Sequence, residues 1–71
     1  MLKRGERMQL NKQNIMLLMA QKQLSIAELA ERYGVTKQRM SYILNCAQVK
    51  PKTAGKLAEA LTVDVTEIIE Q

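Results

Sequence analysis

Three hydrogen-bonding side chains, Lys37, Gln38 and Arg39, follow directly after Thr36 in this chain of 71 residues. Threonine commonly caps a helix, so the three are predicted to lie on the first turn of one. Lysine and arginine can donate to guanine O6 and N7, glutamine can pair with adenine N6 and N7, and a helix N-terminus also attracts phosphate. The pattern indicates nucleic-acid contacts; the alternative is that these side chains only solubilise a surface helix.

The segment that must position these side chains is residues 26–45, IAELAERYGVTKQRMSYILN. Ser25 and Glu28 have capping-box spacing, which predicts the start of helix 2, and Gly34 predicts its end. Helix 3 is predicted to begin after Thr36 and to reach the end of the segment. Helical spacing turns one apolar set inward: Leu29, Tyr33, Val35, Met40, Ile43 and Leu44. Two short helices joined by a glycine turn are the layout of a helix-turn-helix.

Three more helices and no sheet are predicted outside this segment. Helix 1 begins after the cap Asn11 and continues to about Gln21. Its inward side chains at helical spacing are Ile15, Leu18 and Met19. Helix 5 is predicted from Asp64 and Glu67, a second pair with capping-box spacing.

Helix 4 is predicted from Pro51, a residue accepted at the first helical position, to Leu61. Gly55 lies inside it, where a glycine costs about 1 kcal/mol relative to alanine. Two interpretations stay open. Gly55 allows another backbone to approach closely, which we favour, or the helix begins later with Thr53 as its cap.

The composition excludes several classes of site. One small domain of this length has no histidine and one cysteine, so a metal cage, a Cys/His dyad or an intrachain disulfide framework cannot be built within the chain. We therefore expect no enzyme, no cofactor and no small-molecule ligand. The apolar run Ile15 to Ala20 is too short to span a bilayer, so we expect no membrane partner and a cytoplasmic location.

The net charge of +4 is unevenly distributed along the chain. Residues 1–58 hold every lysine and arginine, whereas residues 59–71 hold four acids and no base. A basic body of this kind is typical of a phosphate-backbone binder, although solvated lysines give similar counts. Residues 1–9 form a basic N-terminal lead, interpreted as a disordered arm, a remnant of translation start choice or a segment ordered by contacts.

Residues 10–69 resemble the small regulators of the lambda-repressor and Cro type, the XRE-like helix-turn-helix family. The resemblance rests on LSIAELAERYGVTKQRMSYILN for helices 2 and 3 and on KLAEALTVDVTEII for the later helices. It implies an all-α, compact five-helix domain over residues 10–71. It also implies a sequence-specific transcriptional regulator of bacterial, phage or mobile-element origin, expected to be a repressor, that inserts helix 3, about residues 37–45, in the major groove of a double-stranded operator.

The resemblance also implies contact residues. Positions that similar proteins use for base contacts carry Lys37, Gln38, Ser41 and Tyr42, with Arg39 reaching base or phosphate. The implied phosphate contacts are Ser25, Thr36, Asn45, Lys50 and Lys52. For Tyr42 an alternative stays open, because a half-buried tyrosine with a wet hydroxyl fits equally well.

Four positions depart from the family pattern. Ile26 replaces a glutamine that helps to orient the recognition helix, and Cys46 replaces a glycine. Met19 and Leu44 stand where an arginine and a glutamate usually form an ionic tie between helices 1 and 3. Replacing both partners of a buried ion pair with apolar side chains is often neutral or stabilising, so Met19 is predicted to pack against or near Leu44.

Two other functions remain as alternatives: an interaction module that keeps this scaffold without binding DNA, and an antitoxin with a partner protein. A homodimer is expected, because two half-sites about 34 Å apart multiply affinity and specificity. Its predicted interface is the C-terminal region, although the same apolar side chains would equally serve to complete the core: Val63, Val65, Ile68 and Ile69.

Overall fold

A computed structural model describes residues 7–70 of the chain. In order along the chain, its elements are β1 (Met8–Gln9), α1 (Lys12–Lys22), α2 (Ile26–Tyr33), α3 (Lys37–Asn45), β2 (Gln48–Val49), α4 (Pro51–Leu61) and a single 3-10 turn (Val65–Glu67). No helix in this described part has the length and apolar run needed to cross a membrane.

The first three helices begin where their capping residues predict. The Asn11 side chain accepts a hydrogen bond from the Asn14 N–H at 3.0 Å. Ser25 and Glu28 form both bonds of a capping box, at 3.1 and 2.9 Å. These short-range bonds satisfy N–H groups that have no partner within a helix, which explains why these helices begin where their caps predict.

Gly34 makes the turn between α2 and α3. Its φ of 98° lies in the left-handed region, which glycine adopts without the steric cost of a Cβ. The N–H groups of Gly34 and Val35 both donate to the Ala30 carbonyl, at 2.8 and 3.0 Å. This C-terminal cap turns the chain sharply and confirms the predicted helix-turn-helix.

The core lies between the four helices and the residues that follow the 3-10 turn, with Ile15 and Leu18 of α1 buried in it. Its largest fully buried side chains come from α2, α3, α4 and those last residues: Leu29, Met40, Leu57, Leu61 and Ile68. No polar or charged side chain among the described residues is buried with them. Apolar side chains therefore fill the interior against which α3 packs.

The predicted fifth helix is wrong, since only the 3-10 turn forms there. The Asp64 carboxylate accepts hydrogen bonds from the Thr66 N–H and hydroxyl, at 3.0 and 2.9 Å, and makes no capping box with Glu67. The chain then leaves the helical conformation because Ile69 forms an antiparallel bridge with Leu10. The described part of the domain thus contains four α-helices rather than five.

The expectation of no sheet is also wrong. Met8 pairs with Val49 and Gln9 with Gln48 in an antiparallel ladder, so residues of the predicted lead belong to a two-stranded sheet. The Leu10 N–H donates to the Ala47 carbonyl at 3.0 Å and extends the contact. Strands of two residues are too short for an alternating pattern. The rest of the predicted lead, residues 1–6, lies outside the described residues.

Gly55 does not support close packing. It is exposed, and a Cβ built on it meets no atom within 4 Å, so the favoured interpretation of a close backbone approach is wrong. The alternative of a later helix start is wrong as well, because α4 begins at Pro51.

The C-terminal apolar side chains contribute to the core. Ile68 is fully buried. The partly buried side chains of Val63, Val65 and Ile69 pack against the core. The large hydrophobic side chains that stay exposed among the described residues lie elsewhere, at Met16, Leu17 and Tyr42. The structure favours the interpretation that the C-terminal side chains complete the core.

Candidate nucleic-acid interface

One face of α3 carries exposed polar side chains while the other is buried. Lys37, Gln38 and Arg39 are exposed on the first turn, and Tyr42 is exposed one turn later. Ser41, also predicted to contact bases, is half-buried beside them. Because Met40 and Ile43 anchor the opposite face in the core, these five candidate side chains share a single surface of a firmly packed helix.

Thr36 fixes the first turn of that helix. Its hydroxyl oxygen accepts a hydrogen bond from the Arg39 N–H at 3.1 Å, as predicted for the cap. Accepting this bond leaves the Thr36 hydroxyl proton available to donate elsewhere. An exposed threonine at a helix N-terminus can therefore hold its own helix and a phosphate oxygen at once.

Ser25 has a less favourable setting for phosphate. Its backbone N–H donates to the Glu28 carboxylate, and its hydroxyl oxygen accepts from the Glu28 N–H. Hydrogen bonds from Ser25 to the carboxylate, the backbone one first, hold the pKa of the Glu28 carboxyl below its usual value. Nearby Arg32 lowers that pKa further. An ionised carboxylate beside Ser25 repels phosphate. Ser25 is therefore the weakest of the predicted contacts to DNA phosphates.

Asn45 ends α3 and is held in two ways. Its side-chain amide donates to the Ser41 carbonyl at 2.9 Å, leaving one amide N–H for a phosphate. Its own carbonyl accepts a hydrogen bond from the Lys12 ammonium at 3.1 Å. Lys12 was not among the predicted site residues, because its contact joins residues 33 positions apart in the chain.

A second basic region lies at the start of α4. Lys50 and Lys52 are exposed there, and Lys50, the residue before the helix, makes no side-chain cap. The first N–H groups of α4 are thus left to solvent or to an anion. Lys56, not predicted, lies 4.8 Å from the centre of the Tyr33 ring and links α4 to α2.

A groove of about 440 Å³ separates α1 from α3. Met19 and Leu44 both line it, one from each helix, and their packing against each other stays a prediction. Ile26, which departs from the family pattern, lines the same groove beside them. Cys46 is half-buried at the end of α3.

A family model of the Cro/C1-type helix-turn-helix DNA-binding domain matches residues 14–71. The chain belongs to this family. The match covers most of α1 and everything after it, including the α2–α3 pair described above. As a Cro/C1-type domain, the protein is a DNA-binding regulator, and the resemblance read from the sequence is confirmed. No curated protein and no solved structure matches the chain.

Proposed function

We propose that this Cro/C1-type domain is a sequence-specific repressor that binds a double-stranded DNA operator as a homodimer, with α3 in the major groove. One observation carries the proposal: Lys37, Gln38 and Arg39 are exposed on a helix whose opposite face is buried. Side chains of these types match the donor and acceptor pattern of guanine and adenine edges.

The proposed contacts divide by chemistry. Base edges are read by the exposed α3 face, which consists of Lys37, Gln38, Arg39, Ser41 and Tyr42. Phosphates are held at helix ends and in the basic region before α4, by Thr36, Asn45, Lys50 and Lys52, with Ser25 as the weakest member. Phosphate contacts set the register of the helix, and base contacts supply the sequence preference.

A homodimer is proposed because the DNA-contacting surface of one copy is small. A single recognition helix contacts only a few base pairs, so two copies on half-sites about 34 Å apart provide the affinity that an operator requires. Repression needs only this binding, because a protein that occupies an operator overlapping a promoter excludes polymerase from it.

Fluorescence anisotropy tests the proposal. Wild type is titrated against random DNA and against DNA selected for binding, at two salt concentrations, and compared with the triple variant Lys37→Ala, Gln38→Ala, Arg39→Ala. Wild type should bind selected DNA tightly and more weakly at higher salt, and the triple variant should lose the preference for selected DNA.

A charge-matched control separates the loss of base-specific contacts from the loss of general electrostatic attraction to DNA. The double variant Arg32→Ala, Lys56→Ala also removes two positive charges, but from the α2 and α4 side of the domain. It should bind more weakly to all DNA and keep its sequence preference. Wild type that binds no DNA at low salt would overturn the proposal in favour of a protein-interaction module.

A further inference from the structure

Arg39 and Tyr42 form a stacked pair on the exposed face of α3. The guanidinium carbon of Arg39 lies 5.1 Å from the centre of the Tyr42 ring, within the range of a cation–π contact. The two residues are three positions apart and therefore lie on the same side of the helix. Tyr42 is 60% exposed, so the core does not account for its ring.

The contact with the ring uses no hydrogen-bond donor of the guanidinium. A cation–π contact is made through the charge of this planar group, whereas its five N–H donors serve hydrogen bonds. The turn that carries Arg39 is itself held, because the Arg39 backbone N–H donates to the Thr36 hydroxyl oxygen. The planar fork of donors matches the O6 and N7 pair of guanine.

We propose that Tyr42 is a positioning residue that holds the Arg39 guanidinium ready for bidentate readout of one guanine in each operator half-site. This inference rests on the proposed function and specifies one base pair of its target. An arginine ordered before binding loses less conformational freedom when the contact forms. Among the described residues, Arg39 is the one cation of α3 that stacks on an aromatic ring.

The stack can be tested in the free protein. Protons of the Arg39 side chain that lie over an aromatic ring shift upfield in the NMR spectrum. Wild type and Tyr42→Phe, which keeps the ring, should show this shift, and Tyr42→Leu should lose it. An identical Arg39 spectrum in wild type and Tyr42→Leu would overturn the inference without any reference to DNA.

The readout is tested by binding to a selected operator and to the same operator with single base-pair changes. The relevant guanine is at the base pair where the Arg39→Gln variant no longer prefers guanine. Wild type and Tyr42→Phe should prefer guanine there by about tenfold or more. Tyr42→Leu should lose most of that preference, and at this base pair the double variant Tyr42→Leu, Arg39→Gln should match Arg39→Gln alone.

Other outcomes separate this inference from the proposed function. An undiminished preference for that guanine in Tyr42→Leu, with any loss confined to a different base pair, would show that Tyr42 acts independently of Arg39. Wild type that binds selected DNA with no guanine preference dependent on Arg39 also overturns the inference but leaves the proposed function standing. Wild type that binds no DNA overturns both. Circular dichroism melting confirms that each variant is folded.

Discussion

The Lys12 ammonium on α1 donates a hydrogen bond to the carbonyl oxygen of Asn45, at the end of α3, with a distance of 3.1 Å. A cation at this place meets the negative end of the α3 dipole and one of the carbonyls that have no partner within the helix. The bond therefore ties the C-terminus of the proposed recognition helix to the first helix of the domain.

Replacing Lys12 with methionine should weaken this tie. The variant keeps an apolar stem of similar length and loses the charge, so the free energy of unfolding should fall by about 0.3–1 kcal/mol. Urea denaturation at low ionic strength measures the change. Lys52→Met, which alters an exposed lysine on the first turn of α4 as Lys12 is on the first turn of α1, is the matched control. Equal effects of both substitutions would show that the Asn45 contact contributes nothing specific.

Gly55→Ala should stabilise the protein. Gly55 is in the interior of α4 with open space where a Cβ would lie, so alanine gains helix propensity of about 0.5–1 kcal/mol. Gly34→Ala is the contrasting variant, because a left-handed φ of 98° costs a residue with a Cβ about 1–2 kcal/mol. Thermal melting should shift upward for the first and downward for the second. A destabilised Gly55→Ala would show a role for Gly55 that the packing does not explain.

Stability should fall in acid partly through Glu28 and Asp64. Hydrogen bonds from Ser25, backbone first, lower the pKa of Glu28 in the folded state, and bonds from Thr66, again backbone first, lower the pKa of Asp64. A lowered folded pKa gives a contribution that is complete above the unfolded pKa of about 4. That contribution is lost as pH falls through the folded value.

The double variant Glu28→Gln, Asp64→Asn tests this dependence. Its urea midpoint should lie below that of wild type at pH 7, and the difference should shrink as pH falls below about 4. Glu59→Gln controls for loss of a general negative charge. A difference between wild type and the double variant that stays constant from pH 7 to pH 2 would contradict the assigned cause.

The α1–α3 groove should accept the ion pair usual in similar proteins. Leu44→Glu alone places a carboxylate on an apolar groove and should destabilise the domain. Adding Met19→Arg supplies a partner across the groove, and the coupling free energy between the two substitutions should be about 0.5–3 kcal/mol in favour of the pair. A double-mutant cycle by urea denaturation measures it. Strict additivity would show that the two side chains do not meet.

Local signals explain what the sequence could predict of this fold. The caps at Asn11, Ser25 and Thr36 act within three residues of the helix that they start, so the first three helices are placed correctly. Pairing of β1 with β2 joins residues about forty positions apart in strands of two residues, which leaves no local pattern. Asp64 and Glu67 have the spacing of a capping box that would start a helix. The pairing of Ile69 with Leu10, however, requires an extended chain.

In the candidate site, too, some features follow from local spacing and others depend on the folded structure. Helical spacing predicts that Lys37, Gln38, Arg39 and Tyr42 share the face opposite Met40, and the structure places them there. The stacking of Arg39 on Tyr42 depends on side-chain rotamers, and the bond from Lys12 to Asn45 depends on how α1 packs against α3. Neither follows from residue types and spacing alone.

Dimethyl sulfate protection tests the central claim most directly, because the reagent methylates guanine N7 in the major groove. Wild type bound to selected DNA should protect guanines in two clusters about one helical turn apart. The triple variant Lys37→Ala, Gln38→Ala, Arg39→Ala should lose that protection at concentrations where it still binds through phosphates. Full reactivity of every guanine N7 in the wild-type complex would contradict placement of α3 in the major groove.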